Sequence, residues 1–366
     1  MATKRLVTLL GSVLVVSAPG VALADNDTKL VDCTKGHSIQ KAIDKRNPDR
    51  SLTLMIRGTC NENVTVDRDD LALVGEAGAT VNGTISIPGS RRVLIRALKV
   101  SSPTGAGVEG TDNAAFTVED SFLERNATEG LAVRNGAFAT VRRTRLAENG
   151  QNAPADSGRG IDARHGASVA ASNNTIVNNR SDGVGVYNGA YALLVENTVE
   201  GNGRIAASEA GVQVNSARAR GNGNIIRNNT GLGGVIVTNH GDYRTGSGIN
   251  TADIPDNEFA FEQIQHPLGP TLMAVEVSNG GYGDFRQVNI TGSVFVGDHA
   301  FMLVRGDQVT PNLTCSSIDT TGGFLQVSGR HGLLRLRGVK TTPAVPPGQA
   351  ISGPFGLRDI DPAVCP

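Results

Sequence analysis

The strongest constraint on the fold is a short motif that recurs through the middle of the chain. Each copy opens with a glycine and continues with apolar residues at alternate positions, as in Gly130-Leu131-Ala132-Val133. The copies begin at Gly107, Gly130, Gly160, Gly183, Gly211 and Gly234. This alternation is typical of short strands, and a spacing of roughly 20 to 30 residues is typical of a solenoid. The motif therefore predicts stacked coils, each with one glycine-led strand.

Asparagines mark the turns of the same repeat. We predict one column at Asn126, Asn149, Asn179, Asn202 and Asn229, and a second at Asn174, Asn197 and Asn224. Asparagine tolerates the backbone geometry of tight turns, and its amide can bond to the asparagine of the next coil. We expect two asparagine ladders along the solenoid.

Charged residues give an independent test of this register. When two successive coils are aligned on Asn126 and Asn149, residues of opposite charge become neighbours. The predicted pairs are Glu119–Arg142, Asp120–Arg143 and Arg125–Glu148. Opposite charges on neighbouring strands stabilise one another modestly. We therefore interpret Arg142 and Arg143 as structural residues.

Three segments carry a family resemblance: NNTIVNNRSDGVGVYNGA (173–190), VENTVEGNG (195–203) and GNIIRNNTGLGGVIV (223–237). They resemble the right-handed parallel β-helix, or pectate-lyase-like, superfamily. The N-terminal part is also similar to the opening of that family, with a capping helix over 38–46 and a strand over 51–56. The resemblance implies an all-β, single-stranded right-handed parallel β-helix of about 10 to 12 coils with an irregular C-terminal tail. It implies no single activity, because the fold hosts lyases, glycosidases, epimerases, adhesins and scaffolds.

The two ends of the chain differ from the repeat. Residues 1–24 contain Lys4 and Arg5, an apolar run and an Ala-Leu-Ala ending, the pattern of a cleaved secretory signal. We predict the β-helix domain over 25–340 and a Pro/Gly-rich tail over 341–366 packed on the last coils. No other segment is apolar enough to cross a bilayer, so we expect a secreted or periplasmic protein.

The cysteines favour disulfides. Four are present, an even number that suits an oxidising compartment, and they allow three connectivities. We favour Cys33–Cys60 and Cys315–Cys365, because these bridges would staple the two ends of the repeat array, where it frays. The cysteine spacing matches no zinc site and the histidines are scattered, so we predict no metal.

Alternation within the glycine-led strands predicts which side chains face outward. The second and fourth residues face the core, so the third and fifth face solvent. The third-position column is Ala132, Asp162, Gly185 and Gln213, and the fifth is Arg134, Arg164, Tyr187 and Asn215. Longer connections precede Gly160 and Gly211 at the same edge of the sheet. We predict an exposed groove at this edge, with loops as its wall.

The groove predicts a ligand class. Arginine binds a carboxylate through two parallel hydrogen bonds, so guanidinium and amide groups across stacked strands suit an acidic, hydroxyl-rich polymer. We predict a uronate-containing polysaccharide or cell-surface glycan as the partner of a monomeric protein. The predicted substrate-binding residues are Arg134, Gln213, Asn215, Arg159 and Asp182. With 34 basic and 35 acidic residues, no global field draws the chain to nucleic acid, and we predict no such partner.

One hypothesis makes the protein an enzyme that cleaves or epimerises the uronate. In both reactions one group neutralises the carboxylate while a base removes the proton at C5. Arg134 and Arg164 could neutralise, Tyr187 or His165 could be the acid or base, and Asp162 could orient Arg164 or His165.

The alternative is a non-catalytic cell-surface carbohydrate-binding or adhesion scaffold. The sequence lacks the paired aspartates of the glycosidase members and the Asp-Pro-His signature of the mannuronan epimerases, and it has no Trp to stack on sugars. His165 also shares a turn column with Asn135 and Asn188. Calcium is compatible with the acidic residues nearby but is not predicted, and no cofactor is expected.

Overall fold

The computed structural model describes residues 27–151, 157–203, 209–230 and 233–245, together with eleven strands between 262 and 352. Over these ranges the chain winds as a right-handed parallel β-helix, as predicted. Each coil passes through three sheets in turn. We call the glycine-led sheet sheet 1, the sheet that follows it sheet 2, and the sheet of short strands sheet 3.

The strands of each sheet follow one another in chain order, one per coil. Sheet 1 consists of Val64–Thr65, Ile85–Pro88, Val108–Thr111, Leu131–Arg134, Ile161–Arg164, Val184–Tyr187, Ala210–Asn215, Gly233–Thr238, Met273–Ser278, Val294–Gly297, Leu325–Ser328 and Ile351–Ser352. Sheet 2 consists of Asp27–Asp32, Leu52–Arg57, Leu71–Gly75, Arg91–Arg96, Ala115–Glu119, Phe138–Arg142, Ser168–Ser172, Tyr191–Val195, Arg218–Asn222, Asp242–Thr245, Tyr282–Arg286, Thr310–Thr314 and Arg335–Arg337. Sheet 3 consists of Thr59–Cys60, Thr80–Val81, Lys99–Val100, Phe122–Glu124, Arg145–Ala147, Thr175–Val177, Thr198–Glu200, Ile225–Arg227, Glu262–Gln265, Val288–Thr291, Ser317–Asp319 and Lys340–Thr342.

The apolar core fills the inside of the coil. Leu131 and Val133 on one glycine-led strand, and Val184 and Val186 on another, are fully buried. Their alternation is the one that the sequence predicts, because successive side chains of a strand point to opposite faces of the sheet. The third and fifth residues of each glycine-led motif, counted from the glycine, thus lie outside the core.

The first asparagine ladder runs along the corner between sheets 3 and 1. Each amide nitrogen donates to the Oδ1 of the next asparagine, with distances of 2.8, 2.8, 2.9 and 2.9 Å from Asn126 to Asn229. Toward the N-terminus hydroxyls continue the column, since Thr84 and Ser102 bond to one another at 2.9 Å and the backbone of Ser102 donates to Asn126. The predicted ladder is confirmed, and it satisfies polar groups that the coil buries.

The second asparagine ladder lies between sheets 2 and 3. Asn174 donates to Asn197, and Asn197 to Asn224, both at 2.9 Å. Each amide also donates to a strand-end carbonyl, as Asn174 does to Val141. The second column is confirmed as well.

The three predicted charge pairs are also present. Side-chain hydrogen bonds join Glu119 to Arg142 at 2.6 Å, Asp120 to Arg143 at 2.7 Å and Arg125 to Glu148 at 2.8 Å. The register read from the sequence is therefore the register of the fold.

A short helix, Ile39–Asp44, caps the N-terminal end, where the resemblance implied one. Ser38 is its N-cap, and the Glu62 carboxylate accepts the backbone N–H groups of Ile39 and Gln40 at 2.7 and 3.2 Å. The Gln40 side-chain amide pairs with the backbone of Thr65 on the first strand of sheet 1, donating at 3.2 Å and accepting at 2.7 Å. This amide takes the place of a further strand at that edge.

The segment around the cap contains one element that was not predicted. The strand Asp27–Asp32 precedes the helix and pairs in parallel with Leu52–Arg57, which is the strand predicted over 51–56. A 3-10 turn over Cys33–Lys35 links it to the helix. The disulfide Cys33–Cys60 is confirmed, with the two Cα atoms 5.2 Å apart.

Several predictions fall outside the described residues. They are the signal over 1–24, the disulfide Cys315–Cys365, most of the tail over 341–366, and the segments 152–156 and 204–208 of the two longer connections. In the part of the chain that is described, no helix has the length and apolarity needed to cross a bilayer.

Candidate functional site

The outer face of sheet 1 carries a network of charged side chains. Its first column lies one residue before each glycine and consists of Glu129, Arg159 and Asp182, all nearly inaccessible to solvent. The backbone N–H of each following glycine bonds to the next coil, as Gly160 does to the carbonyl of Asp182. The stack of coils therefore places acidic, basic and acidic groups in succession along the corner between sheets 3 and 1.

Asp162 lies at the centre of the network. Its side chain points away from the apolar core, as predicted, yet its exposure is 0%. Its carboxylate is paired with three guanidinium groups, at 2.7 Å from Arg164, 3.5 Å from Arg134 and 3.9 Å from Arg159. A buried carboxylate is tolerated only with such compensation.

The prediction that these residues form an exposed cluster is thus wrong for Asp162. Its neighbours on the adjacent strands are Ala132 and Gly185. Because these residues have little or no side chain, longer side chains from the fifth-position column fold over the strand and cover Asp162. Gly185 shows the constraint directly, since a Cβ atom there would lie 2.4 Å from Cε2 of Tyr187 and 2.8 Å from Cδ of Arg159.

Arg164 and Arg134 form the outer, partly exposed layer of the network. Arg164 donates through Nε to Asp162 at 2.7 Å, and its side chain is 30% exposed. Among the described residues, no hydrogen bond holds its two terminal nitrogens. Arg134 instead uses both terminal nitrogens, with Glu109 at 2.9 Å and Glu129 at 3.6 Å. Arg164 is therefore the guanidinium that is oriented by the protein and still able to bind a ligand.

Tyr187 connects the outer layer to the buried groups. Its hydroxyl donates to Asp182 at 2.5 Å and accepts from Nε of Arg159 at 3.2 Å. The amide of Gln213, oriented with its nitrogen toward the hydroxyl, donates to it at 2.8 Å. The guanidinium carbons of Arg164 and Arg159 lie 4.8 and 5.0 Å from the ring centroid, within the range of cation–π attraction. Burial, reinforced by Asp182, raises the pKa of Tyr187 well above its usual value, so the phenol is protonated at neutral pH.

Asp182 and Glu209 form the inner end of the network. Asp182 accepts Nε of Arg159 at 3.0 Å and the backbone N–H of Ala210 at 2.7 Å. Glu209 is almost fully buried and accepts a short hydrogen bond from the hydroxyl of Ser181. Burial, together with the charge of Asp182, raises the pKa of Glu209 to about 7. A carboxyl group that exchanges a proton near neutral pH thus lies behind the Tyr187–Asp182 bond.

Two predicted site residues lie outside the network. His165 is exposed and has a positive φ of 55°, followed by Gly166 at 73°. Its Nε2 lies 3.5 Å from the amide of Asn188, which occupies the same turn position on the next coil. Asn215 bonds instead to Asn239, whose amide donates to it at 3.1 Å. Both residues stack with turn residues of neighbouring coils.

The described residues offer no pre-built metal centre. Cys33, Cys60 and Glu62 come close enough to share an ion, but both sulfurs are in the disulfide and Glu62 caps the helix. The carboxylates of Asp162 and Asp182, the described acidic residues that the sequence placed near the groove, both pair with the guanidinium of Arg159.

The site residues predicted from the sequence did not include Glu109, Glu129, Ser181 or Glu209. Glu109 occupies the third position of its glycine-led strand, so the alternation that pointed to Asp162 also points to it. The other three lie just before the strands, where the motif does not extend. Reading the columns one and two residues upstream of the glycines would have found them.

A family model described as "Right handed beta helix region" matches residues 79–259. No curated protein sequence matches the chain closely.

Solved structures of similar fold include two epimerase modules. They are the A-modules of the mannuronan C-5 epimerases AlgE4 and AlgE6 from Azotobacter vinelandii, with TM-scores of 0.58 and 0.60. Each similarity covers 88% of this chain and 93% of the other, at 14% sequence identity. Identity this low supports the fold alone. The coil, its register and the family model agree, and the protein is therefore a right-handed parallel β-helix.

Proposed function

We propose that the protein binds a uronate-containing polysaccharide across the coils of sheet 1 and acts on it by removing the proton at C5. The observation that carries the proposal is the juxtaposition of Arg164 with Tyr187. Arg164 has an oriented guanidinium with two terminal nitrogens left for a carboxylate, and its carbon lies 4.8 Å from the ring centroid of Tyr187. The fold likeness to two modules named mannuronan C-5 epimerases supports this substrate class.

Arg164 would bind the uronate carboxylate through the two terminal nitrogens of its fork. Neutralising this carboxylate stabilises the negative charge that develops at C5 when the proton leaves. Asp162 is a positioning residue in this scheme, because it fixes the guanidinium through Nε. Arg134, held by Glu109 and Glu129, would line the next stretch of the polymer.

Tyr187 would relay the proton. A phenol with a raised pKa is a poor base by itself, because it is protonated at neutral pH. It can accept the C5 proton only if its own proton moves to Asp182, whose carboxylate lies 2.5 Å from the hydroxyl. In this step the C5–H bond and the original O–H bond break, a new O–H bond forms on Tyr187, and Asp182 becomes protonated. Glu209, with a pKa of about 7, lies next to the acceptor.

The electron pair left at C5 has two outcomes. In elimination it forms a C4=C5 double bond, the C4–O bond breaks and the leaving oxygen takes up a proton. In epimerisation a proton returns to C5 from the opposite face and no chain bond breaks. The exposed His165 stays a second candidate for the acid–base role.

The test combines binding and reaction. The protein is incubated with alginate, pectate and glycosaminoglycans, elimination is followed by the ultraviolet absorbance of the unsaturated uronate, and epimerisation by NMR of the polymer. We expect one of these signals, abolished in Arg164→Ala and Tyr187→Phe. Matched controls are Arg143→Ala, which removes a guanidinium paired with Asp120 on another corner, and Tyr191→Phe on sheet 2. Failure to bind or change any uronate polymer would refute the proposal.

A non-catalytic binding scaffold is the second candidate. One observation favours it: the guanidinium groups of Arg134, Arg159 and Arg164 are each paired with carboxylates of the protein itself. In that case the polymer would be retained by the wild-type protein and by Tyr187→Phe, with neither absorbance nor NMR change.

Export of the protein is part of the same proposal. The secretory pattern of residues 1–24 and the disulfide Cys33–Cys60 support an oxidising compartment. Expression of the full chain with periplasmic fractionation should give a mature protein that begins at Asp25. Retention of Met1 on all of the protein would contradict export by cleavage.

A further inference from the structure

A polar depression lies at the corner between sheets 3 and 1, toward the N-terminus from the network. It opens to solvent, has a volume of about 950 Å³ and is lined in part by Asn61, Asn63, Asn82, Ser101, Pro103 and Thr104. We call these six residues the amide groove. Its size lies within the range of small-ligand sites, of roughly 300 to 1,000 Å³.

The charged residues around the amide groove are already engaged. The Glu62 carboxylate accepts the hydroxyl of Ser38 at 2.7 Å and caps the short helix. Arg125 and Glu148 bond to one another at 2.8 Å. No unpaired cation among the described lining residues is left for a carboxylate, so the groove suits an uncharged ligand.

The amides retain unused hydrogen-bonding capacity. Asn82 donates through Nδ2 to Oδ1 of Asn61 at 2.8 Å, and Oδ1 of Asn63 accepts the backbone N–H of Thr84 at 2.9 Å. Within the described residues, the amide nitrogens of Asn61 and Asn63 and the Oδ1 of Asn82 have no partner. All three side chains are exposed, as is that of Thr104. Donors and acceptors side by side match sugar hydroxyls, which both donate and accept.

The groove and the charged network lie on the same side of the coil. The strand after Asn82 begins at Ile85, which is in register with Val108, Leu131 and Ile161 on successive coils. Asn82 and Arg164 are thus three coils apart, about 14 Å at the spacing of paired strands. Only several linked sugar units can bridge this span.

We propose that the amide groove binds a neutral, hydroxyl-rich sugar unit, and that the polysaccharide recognised by this protein is a heteropolymer carrying neutral sugars as well as uronates. The neutral-sugar site is supported by the observations on the amide groove alone. The heteropolymer part rests on the proposed function, because it requires the same chain to reach Arg164.

Binding to the two parts of the surface can be measured separately. The full chain is run in gels containing polymannuronate, a uronate homopolymer, or hyaluronan or glucuronoxylan, which also carry neutral units. In parallel, the side-chain amide resonances of the asparagines are followed by NMR during titration with neutral tetrasaccharides of glucose, mannose, xylose and N-acetylglucosamine. The groove variant is Asn82→Ala combined with Thr104→Ala, and the control is Asn222→Ala, an outward amide on sheet 2.

We expect the groove variant to weaken retention by a heteropolymer about tenfold, for the loss of about two hydrogen bonds, without changing retention by polymannuronate. Arg164→Ala should weaken both, and Asn222→Ala neither. At least one neutral tetrasaccharide should shift the amide resonances of Asn61, Asn63 or Asn82.

Two results separate this inference from the proposed function. If polymannuronate is retained through Arg164 while no tetrasaccharide shifts the groove amides and the groove variant behaves as the wild type, the groove inference is overturned and the proposed uronate binding stands. If a tetrasaccharide shifts those amides while no uronate polymer is retained, the neutral-sugar site stands, whereas the heteropolymer and the proposed function fail.

Discussion

Two columns of side chains run along the corner between sheets 3 and 1. One column repeats the same residue type on every coil, and the other changes residue type from coil to coil. The asparagine ladder repeats one residue type from Asn126 to Asn229, so every coil makes the same bonds to the next. The column before the glycines changes at each coil, from Glu129 to Arg159 to Asp182. Identical neutral amides can stack without limit, whereas identical charges would repel. The repeated asparagine column therefore stabilises the fold, whereas the column that varies from coil to coil supplies charged groups of the candidate site.

The largest expected effect comes from breaking the repeated column. Asn179 accepts the backbone and the amide of Asn149 and donates to Leu146 and Asn202. Asn179→Ala removes four hydrogen bonds and leaves buried groups unpaired, which should cost about 4 kcal/mol. Urea unfolding measures this loss, with the exposed-face variant Asn222→Ala as the control. Equal midpoints for the two variants would contradict the structural role of the ladder.

The second prediction concerns the inner end of the charged network. The pKa of Glu209 is raised to about 7 in the folded protein from 4.5. The folded state therefore holds the proton more tightly, and this contribution to stability is lost as the pH rises between these values, by up to about 3 kcal/mol. Relative to the wild type, Glu209→Gln should gain stability between pH 5 and pH 8. Urea midpoints at these two pH values measure it, and a difference independent of pH would refute the assignment.

The third prediction tests how the network is covered. A methyl group at position 185 would overlap the ring of Tyr187 and the stem of Arg159. Gly185→Ala should cost about 1 to 3 kcal/mol through overpacking and should reduce polymer binding by displacing both side chains. In a double-mutant cycle with Tyr187→Ala the cost of the methyl group should shrink. An unchanged cost would mean that the ring does not lie over the strand.

The smallest effect is expected for the charge pairs that confirmed the register. Arg143 is half exposed and bonds to Asp120 at the surface, where solvent screens the attraction. Arg143→Ala should leave the urea midpoint within experimental error. A loss as large as that of Gly185→Ala would show that such pairs hold the coils together.

The sequence predicts the features that depend on the backbone alone, namely the coil register and the residues that become neighbours on adjacent strands. Coil register follows from the alternation and from asparagine spacing, because a shift of one residue would turn every apolar side chain outward. The pairing of Glu119 with Arg142 and the stacking of Asp162 on Ala132 both follow from that register. The capping helix was expected from the family resemblance and not from the register.

The burial of the candidate site depends on side-chain conformation and was not predictable in this way. The column pattern gives Asp162 an outward position, but its exposure is decided by how Arg134, Arg164 and Arg159 fold over it. The role of Glu209 depends on Asp182 and Ser181 from the neighbouring coil. The strand Asp27–Asp32 was not predicted, because it precedes the glycine-led repeat from which the coils were recognised.

The side-chain amide of Gln40 limits the stacking of one molecule on another at the N-terminal end of the coil. Parallel strands stacked at a constant interval have no intrinsic end, and the last backbone edge of one chain is a template for the first edge of another. On sheet 1 that template is closed by a single side chain, since Gln40 both donates to and accepts from the backbone of Thr65. Gln40 therefore keeps these two backbone groups of Thr65 from pairing with a strand of another molecule.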